Sequence, residues 1–495
     1  MARYILNRII RAILSIFIVV AIIFILVYGL IPKENIFNND TNLSKYTKHD
    51  ERISYMNGML EKYGYIEFVE IIDYCALKYA SDPSSLNAQT CTTNPSEYEE
   101  FSEYYIKRGY KVDKYLRGIP YAVKDKSPLQ MFFEWTSNLI IIDYPNWVKD
   151  PNNPNLKREI KFGTDWSGNP ALVCSGCNHK YLIYVNSSFP FIHFNWIEFN
   201  LGQSFPTFQG QSVLGAITAR QGEPKSKEIT FPTGVKANTS LVEHSCKYKP
   251  LLSDNEKLRF VDNYANCDSY LRDPSMMSTS FIIGVIATIL AYIIGLPLGI
   301  YMARNKNKLF DKIGIAYIVF IISVPSLAYI FMFSRIGSNI FNLPVKFPQY
   351  GAQNIISYIL PIISLTLPSI AGLMMWMRRY MIDQSLSDYV KFARAKGLSE
   401  SSIFSKHIMR NAIIPIVHGM PMAILGSLTG AIITERVYAV PGMGKMLTSA
   451  INEYNNSMVI GLAFIFTALS VFSLLLGDIL MTIVDPRITF SEKER

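Results

Sequence analysis

The chain has 495 residues, 49% hydrophobic and 13% aromatic, with a mean hydropathy of +0.17 and a formal net charge of +9. Such a composition is too apolar for a simple soluble protein and too polar for a bare membrane bundle, so it indicates a mixed chain. The charge is unevenly placed: Pro32–Met277 holds 27 Lys+Arg against 29 Asp+Glu, and the remainder holds 21 against 10. A basic surplus confined to apolar-segment loops argues against nucleic acid as a partner and fits the positive-inside rule.

Taken in chain order, six stretches free of Asp, Glu, Lys and Arg are long enough to span a bilayer: Ala12–Ile31, Met276–Ala303, Ile313–Ser334, Phe347–Met377, Asn411–Thr434 and Tyr454–Gly477. The fourth opens on a polar Phe-Pro-Gln-Tyr-Gly-Ala-Gln-Asn run, so its helix is expected from about Ile355; the sixth is expected to pass Asp478 and reach Val484. Loops Met1–Arg11, Arg304–Lys312, Arg378–Arg410 and Asp485–Arg495 carry 17 Lys+Arg, whereas Arg335–Lys346 and Glu435–Glu453 carry 4. That bias predicts both termini in the cytoplasm and residues 32–275 outside. The first span has a basic start but a 20-residue core and no small-x-small site before Pro32, so it reads as a retained signal anchor.

Residues 32–275 form a mixed α+β extracellular domain in this reading. All six cysteines lie there: Cys75, Cys91, Cys174, Cys177, Cys246 and Cys267. An even count on the oxidising side suggests disulfides, and the sequence-local pairing is Cys75–Cys91, Cys174–Cys177 and Cys246–Cys267. Cys174-Ser-Gly-Cys177, with His179 and His193 nearby, also admits a redox or zinc reading, but a lone CxxC is a weak signal. Tyr98–Tyr115 has helical spacing, Lys180–Leu201 alternates as strands around Ser187–Pro190, and Asp150-Pro-Asn-Asn-Pro reads as a loop. No catalytic or metal-ligating constellation stands out.

The most specific segment runs from Asp388 to Pro415: Asp-Tyr-Val-Lys-Phe-Ala-Arg-Ala-Lys-Gly-Leu-Ser, closing on Arg-Asn-Ala-Ile-Ile-Pro. Tyr389–Lys396 can make two helical turns with Tyr389, Phe392 and Ala393 on one side, and Gly397 suits the turn that follows. Phe392 would be an apolar anchor for a partner groove, with small Ala393 and Ala395 permitting close approach. The plainer reading is an amphipathic helix lying on anionic lipid.

This segment resembles the cytoplasmic coupling loop of ABC importer permeases, in the variant of the oligopeptide/dipeptide subfamily. Against the general Glu-Ala-Ala-x-x-x-Gly signature, Ala393 and Gly397 match, while Lys391 and Phe392 replace the glutamate and the first alanine. Further resemblances are Leu201–Ser204 with Val213, Gly295–Gly299 with Ala303-Arg304, Ser323–Ser326, Glu435 with Pro441–Gly444, and Asp485–Arg487. The chain is similar to the B-type oligopeptide permease subunit with a large extracellular insertion. The resemblance implies an all-α permease core of six transmembrane helices. It divides the chain into residues 1–31 (cytoplasmic N-terminus and first span), 32–275 (extracellular), 276–487 (permease core with coupling loop 378–410) and 488–495 (cytoplasmic tail). It places the coupling role on Asp388, Tyr389, Phe392, Ala393, Arg394, Ala395 and Gly397.

Elsewhere, Gly295-x-x-x-Gly299 and Gly426-x-x-x-Gly430 suit helix packing, within or between chains. His418 and Asp478 are ionisable groups inside spans; His418, Pro325 and Ser326 are pore or gate candidates, and Asp478 is expected to serve local packing near its helix end. No GxxxxGK[ST] occurs, and the largest cytoplasmic loop is too small for an ATPase, so ATP and Mg are expected on separate subunits. The implied partners are a second homologous permease, two ABC ATPases, an extracellular substrate-binding lipoprotein and membrane lipid in a bacterial cell membrane. The implied function is uptake of oligopeptides, not catalysis. Dipeptide or nickel cargo is the alternative; a membrane-anchored enzyme would leave the coupling loop unexplained, a receptor would need a cytoplasmic output domain, and a mechanotransmission ABC protein usually has fewer spans and lacks this loop string.

Overall fold

The computed structural model describes residues 2–79, 90–142, 148, 159–165, 168–186, 189–192, 197–242 and 245–484. His193, the Asp150 loop and Asp485–Arg487, singled out above, lie outside them.

Before the second long apolar helix the described α-helices of six or more residues are α1 (Ala2–Leu30), α2 (His49–Lys62), α3 (Ile71–Lys78), α4 (Pro95–Ile106), α5 (Pro128–Ser137) and α6 (Val213–Thr218). A three-stranded antiparallel sheet orders β1 (Ile66–Glu70), β3 (Pro120–Asp125) and β2 (Lys111–Lys114), with β3 central. The helical spacing read over Tyr98–Tyr115 holds only to Ile106: Gly109 at φ +82° turns the chain, and Lys111–Lys114 joins the sheet. After β4 (Ile140–Ile142), an antiparallel meander runs β5 (Glu159–Thr164), β6 (Pro170–Ser175), β7 (Tyr181–Asn186) and β8 (Phe189–Ile192), and β9 (Ile197–Phe199) pairs back on β4. The strands expected over Lys180–Leu201 are thus present. The structure pairs Cys75 with Cys91, Cys174 with Cys177, and Cys246 with Cys267.

Two apolar cores fasten this region to the helices. Val20 and Phe24 of α1 pack with Ile36, Phe37, Tyr65 and Phe132. Leu201, Val213 and Ile217 pack against the last two helices of the chain. Asn455 locks the second contact: its amide donates to the Ser204 and Thr207 hydroxyls, each at 2.7 Å, and its carbonyl accepts from the Phe205 N–H. The family-like segment Leu201–Ser204 is therefore seated on the start of the final helix.

The helical bundle comprises α1, then α7 (Met276–Arg304), α8 (Leu309–Ser323), α9 (Ser326–Phe341), α10 (Ile356–Ser385), α11 (Asp388–Ala395), α12 (Ile414–Gly430), α13 (Ile432–Val437), α14 (Met443–Asn452) and α15 (Asn456–Val484). Among the described residues, five stretches are long and apolar enough to cross a membrane, and the α8–α9 pair makes a sixth if counted as one span. The third span, expected over Ile313–Ser334 with Pro325 able to kink it, is bent by 112°. Val324 is extended at φ −85°, ψ 129°, as a residue before proline prefers, and Pro325 has no N–H to continue the ladder. Each half is too short to cross alone, about 22–24 Å at the α-helical rise.

Packing shows that the bent pair crosses. A Cβ on Gly295 would lie 3.0 Å from Leu373 Cβ, and one on Gly299 would lie 3.0 Å from Met377 Cβ. Thr366 Oγ1 reaches the Ala287 carbonyl. Residue numbers rise together, so α7 and α10 are parallel, and the chain between them must return to the opposite end of the bundle. Gly295 and Gly299 serve this contact within one chain: any side chain there would push α10 away.

Candidate functional site

Two features of the helical bundle could do mechanical work. The first is α11, at the end of the bundle opposite residues 32–275. Ser387 is extended ahead of it. Beyond it, the Gly397 N–H bonds the Arg394 carbonyl at 2.9 Å and the Leu398 N–H reaches the Ala393 carbonyl at 3.3 Å, with Gly397 at φ +77°. That left-handed residue suits glycine and stops the helix after two turns.

The inward face of α11 differs from expectation. Val390 (0% exposed) and Ala393 pack on Met377, Met381, Ile403 and Ile408 of the same chain. Tyr389 lies partly on that core and donates its hydroxyl to Gln384 at 2.8 Å. Phe392 points away and is 69% exposed, with Leu386 and Leu398 also exposed. The short helix is thus glued by Val390 and Ala393 and displays Phe392; Ala393 is spent inside, and Ala395 remains on the exposed face. The charges pair locally. Lys391 bonds Asp388 at 2.8 Å and holds its carboxyl below the ordinary range; Arg394 forks onto Glu400 at 2.7 and 3.2 Å and lowers that one. Sequence reasoning missed the π-helical stretch Ile403–Ile408, whose turn lets Ile403 and Ile408 both face the Val390 core.

A second link, unread in the sequence, ties α8 to α10 next to this helix. Arg378 bonds both oxygens of Asp311, at 2.6 and 2.8 Å, and Asp311 is 0% exposed. Its sequence signal was a lone acid opening an apolar run.

The other feature is a groove of about 500 Å³ along α7, α9, α10 and α12, lined among others by Thr288, Ser326, Ser364, Ser369 and Ser427. Pro325, beside Ser326, makes the bend that brings α9 to it. Gly426 is a lining residue, and a Cβ there would meet open space. His418 is not in the groove. It turns to α15, where its Nδ1 lies 3.8 Å from Asp478, which also pairs with Arg8 of α1. Asp478 thus ties α15 to α1, with His418 of α12 beside the pair, in keeping with local packing for Asp478. At the groove's other end, Glu435 accepts from Ser280 Oγ at 2.7 Å and from the Lys445 N–H at 2.8 Å.

The matched protein family covers residues 295–490 and is described as the binding-protein-dependent transport system inner membrane component. Over its whole length the chain is 42% identical to the oligopeptide transport system permease protein AmiC of Streptococcus pneumoniae, covering 99% of that protein. The chain belongs to this permease family.

Shorter relatives match about half of it. The oligopeptide transport system permease protein OppB of Haemophilus influenzae is 29% identical over 54% of this chain and 90% of its own length. The dipeptide transport system permease protein DppB of Lactococcus lactis is 32% identical over 46% of this chain and 77% of its own length. Within this permease the family stretch holds α11 and most of the groove, Thr288 and its neighbours on α7 lying before it. It is a multi-pass membrane protein of the ABC importer type, made of apolar helices with a separate sheet-containing region.

Proposed function

We propose that this permease is the membrane subunit of an ATP-driven importer that takes up oligopeptides delivered by an extracellular substrate-binding lipoprotein. The observation that carries the reading is the 42% identity to AmiC across the full length of both chains. Dipeptide cargo is the second reading, supported by the likeness to DppB; selection of cargo would rest mostly on the binding protein.

In this reading both termini and residues 378–410 are cytoplasmic and residues 32–275 extracellular, which the 17-to-4 bias of basic residues supports. The boundaries follow: 1–31, 32–275, 276–487 and 488–495. Two separate ATPase subunits bind ATP and Mg, and a second permease completes the pore. Phe392, displayed on a helix whose other face is glued to the bundle, enters a groove on the ATPase; Asp388, Tyr389, Arg394, Ala395 and Gly397 shape that helix. Because Val390 and Ala393 bind it to α10 and the Ile403–Ile408 turn, movement of the helix moves the bundle. Ser326 and the hydroxyl-lined groove form half of the pore, with Pro325 as its bend. The chain itself catalyses no reaction.

Purification of tagged permease from native membranes in mild detergent tests this. A second permease, ATPase subunits and peptide-stimulated hydrolysis should co-purify. Recovery of this chain alone, without ATPase after crosslinking, would overturn the reading.

A further inference from the structure

Helix α5 is amphipathic in three stripes. Met131 and Phe132 are buried toward α1, and Trp135 is partly buried. Gln130 and Glu134 form a polar stripe, joined at 3.0 Å, with Glu134 neutralised by Lys126 at 2.7 Å. Leu129 and Phe133, one turn apart, are 54% and 66% exposed. An exposed i, i+4 apolar stripe on a soluble surface would be an aggregation hazard.

Its position relative to the spans gives the reason. Ala12–Ile31 is about 30 Å long at the helical rise, the thickness of a bilayer's hydrocarbon layer, so Ile31 marks its edge. The aligned edge on α15 is Asn456, whose amide bonds the Tyr65 hydroxyl beside Tyr28. Pro128 lies against Gly29, close to that edge. Phe132 then packs on Phe24, with ring centroids 5.7 Å apart, and Trp135 packs on Phe24 and Phe464 at 6.1 and 5.7 Å. Phe24 and Phe464 sit seven and eight residues in from the edges, or about 10–12 Å deep. The helix therefore starts at the hydrocarbon edge and descends into the layer. Leu139 then climbs back to the core around Leu201 and Val213, next to Gly461.

We propose that α5 is an interfacial membrane helix, and that lipid acyl chains of the leaflet on the side of residues 32–275 cover Leu129 and Phe133. α1 carries its own exposed apolar stripe (Leu14, Ile18, Ile22, Leu26, Leu30) along the span on which α5 packs, so the region between the first two spans is set partly into the bilayer instead of standing clear of it. Glu134 tolerates this level because its charge is paired and its stripe points back toward Lys126.

The test places nitroxide labels at Phe133→Cys and Gln130→Cys in the assembled permease in nanodiscs. Every native cysteine is in a disulfide, so the new thiol labels alone. Collisions with dissolved oxygen should exceed those with a water-soluble nickel chelate several-fold at position 133, and less at 130. Equal nickel access at both overturns the proposal, as does shielding of 133 from both probes, which would put a protein partner there. A second measurement uses the unaltered chain: a phospholipid with a diazirine in its acyl chain should mark the 127–137 peptide. Marking of Ile18 and Ile22 on α1 without any on that peptide overturns the proposal while leaving the spanning assignment intact.

Discussion

Ser280 on α7 and Glu435 on α13 are joined by a 2.7 Å hydrogen bond, although 155 residues separate them. The same serine oxygen accepts from the Met443 N–H at 2.9 Å, and the carboxylate accepts from the Lys445 N–H, so one side-chain pair fastens two helices and the start of α14. Pro441–Gly444 must approach closely: a Cβ on Gly442 would lie 2.2 Å from Glu435 Oε1. Replacing the carboxylate leaves buried donors unmet, at about 1–3 kcal/mol. Glu435→Ala should lower the thermal unfolding temperature of the purified permease and Gly442→Ala should do likewise. Wild-type melting in both would show that the pair is not a structural lock.

Val390 and Phe392 are two residues apart and should fail in opposite ways. Val390 is fully buried, so Val390→Asp should destabilise that end of the bundle by several kcal/mol through an unpaired buried charge. Phe392→Asp alters an exposed side chain and should leave melting and membrane insertion near wild type, within about 0.5 kcal/mol. It should nonetheless abolish uptake and weaken retention of the ATPase. Uptake by Phe392→Asp at the wild-type rate would remove the coupling role. Gly397→Glu should also fail, since φ +77° costs a side-chain-bearing residue about 1–2 kcal/mol.

That contrast marks how far the sequence could be read. Five of the six spans follow from apolar length alone, because a bilayer imposes that length on any helix that crosses it. The sixth was visible as a span but not as a bend of 112°, since Pro325 announces a kink without fixing its angle. The α11 helix and its Gly397 stop were legible from spacing. Which face it buries was not: Val390 and Phe392 are both apolar, and only the Met377, Met381 and Ile403 core decides that Val390 goes inward. The Asp311–Arg378 and Ser280–Glu435 pairs were invisible because their partners lie 67 and 155 residues apart. His418 was read from its place in a span, and its direction toward Asp478 depends on how α12 packs on α15.

The Asp311–Arg378 pair should be strongly coupled. Breaking a buried ion pair by removing one partner costs about 3–5 kcal/mol, since the other charge is stranded. Arg378→Ala should therefore lower the unfolding temperature sharply, and Arg378→Lys, which cannot fork onto both oxygens, should recover only part of the loss. The double change with Asp311→Ala should cost less than the two single losses combined. Additive losses in that cycle would mean the contact contributes nothing beyond its parts.

Acid should loosen the lobe that holds the Cys246–Cys267 disulfide. Glu256 accepts from Lys249 Nζ at 2.7 and 2.8 Å and from the Ser253 N–H and hydroxyl, and these bonds pull its carboxyl down to about 2 from an ordinary 4.5. A carboxyl lowered by folding stabilises above its unfolded value, and that stabilisation is lost as pH falls through the folded one. Hydrogen exchange over residues 245–268 should therefore quicken as pH drops from about 4.5 towards 2, after correction for intrinsic rates. Glu256→Gln should show faster exchange at neutral pH and a flatter response to acid. A wild-type profile in that variant would mean that the Lys249 contact does not hold the lobe. Reduction of the disulfide should open the same stretch at every pH, because that bond constrains the unfolded chain whether or not Glu256 is charged.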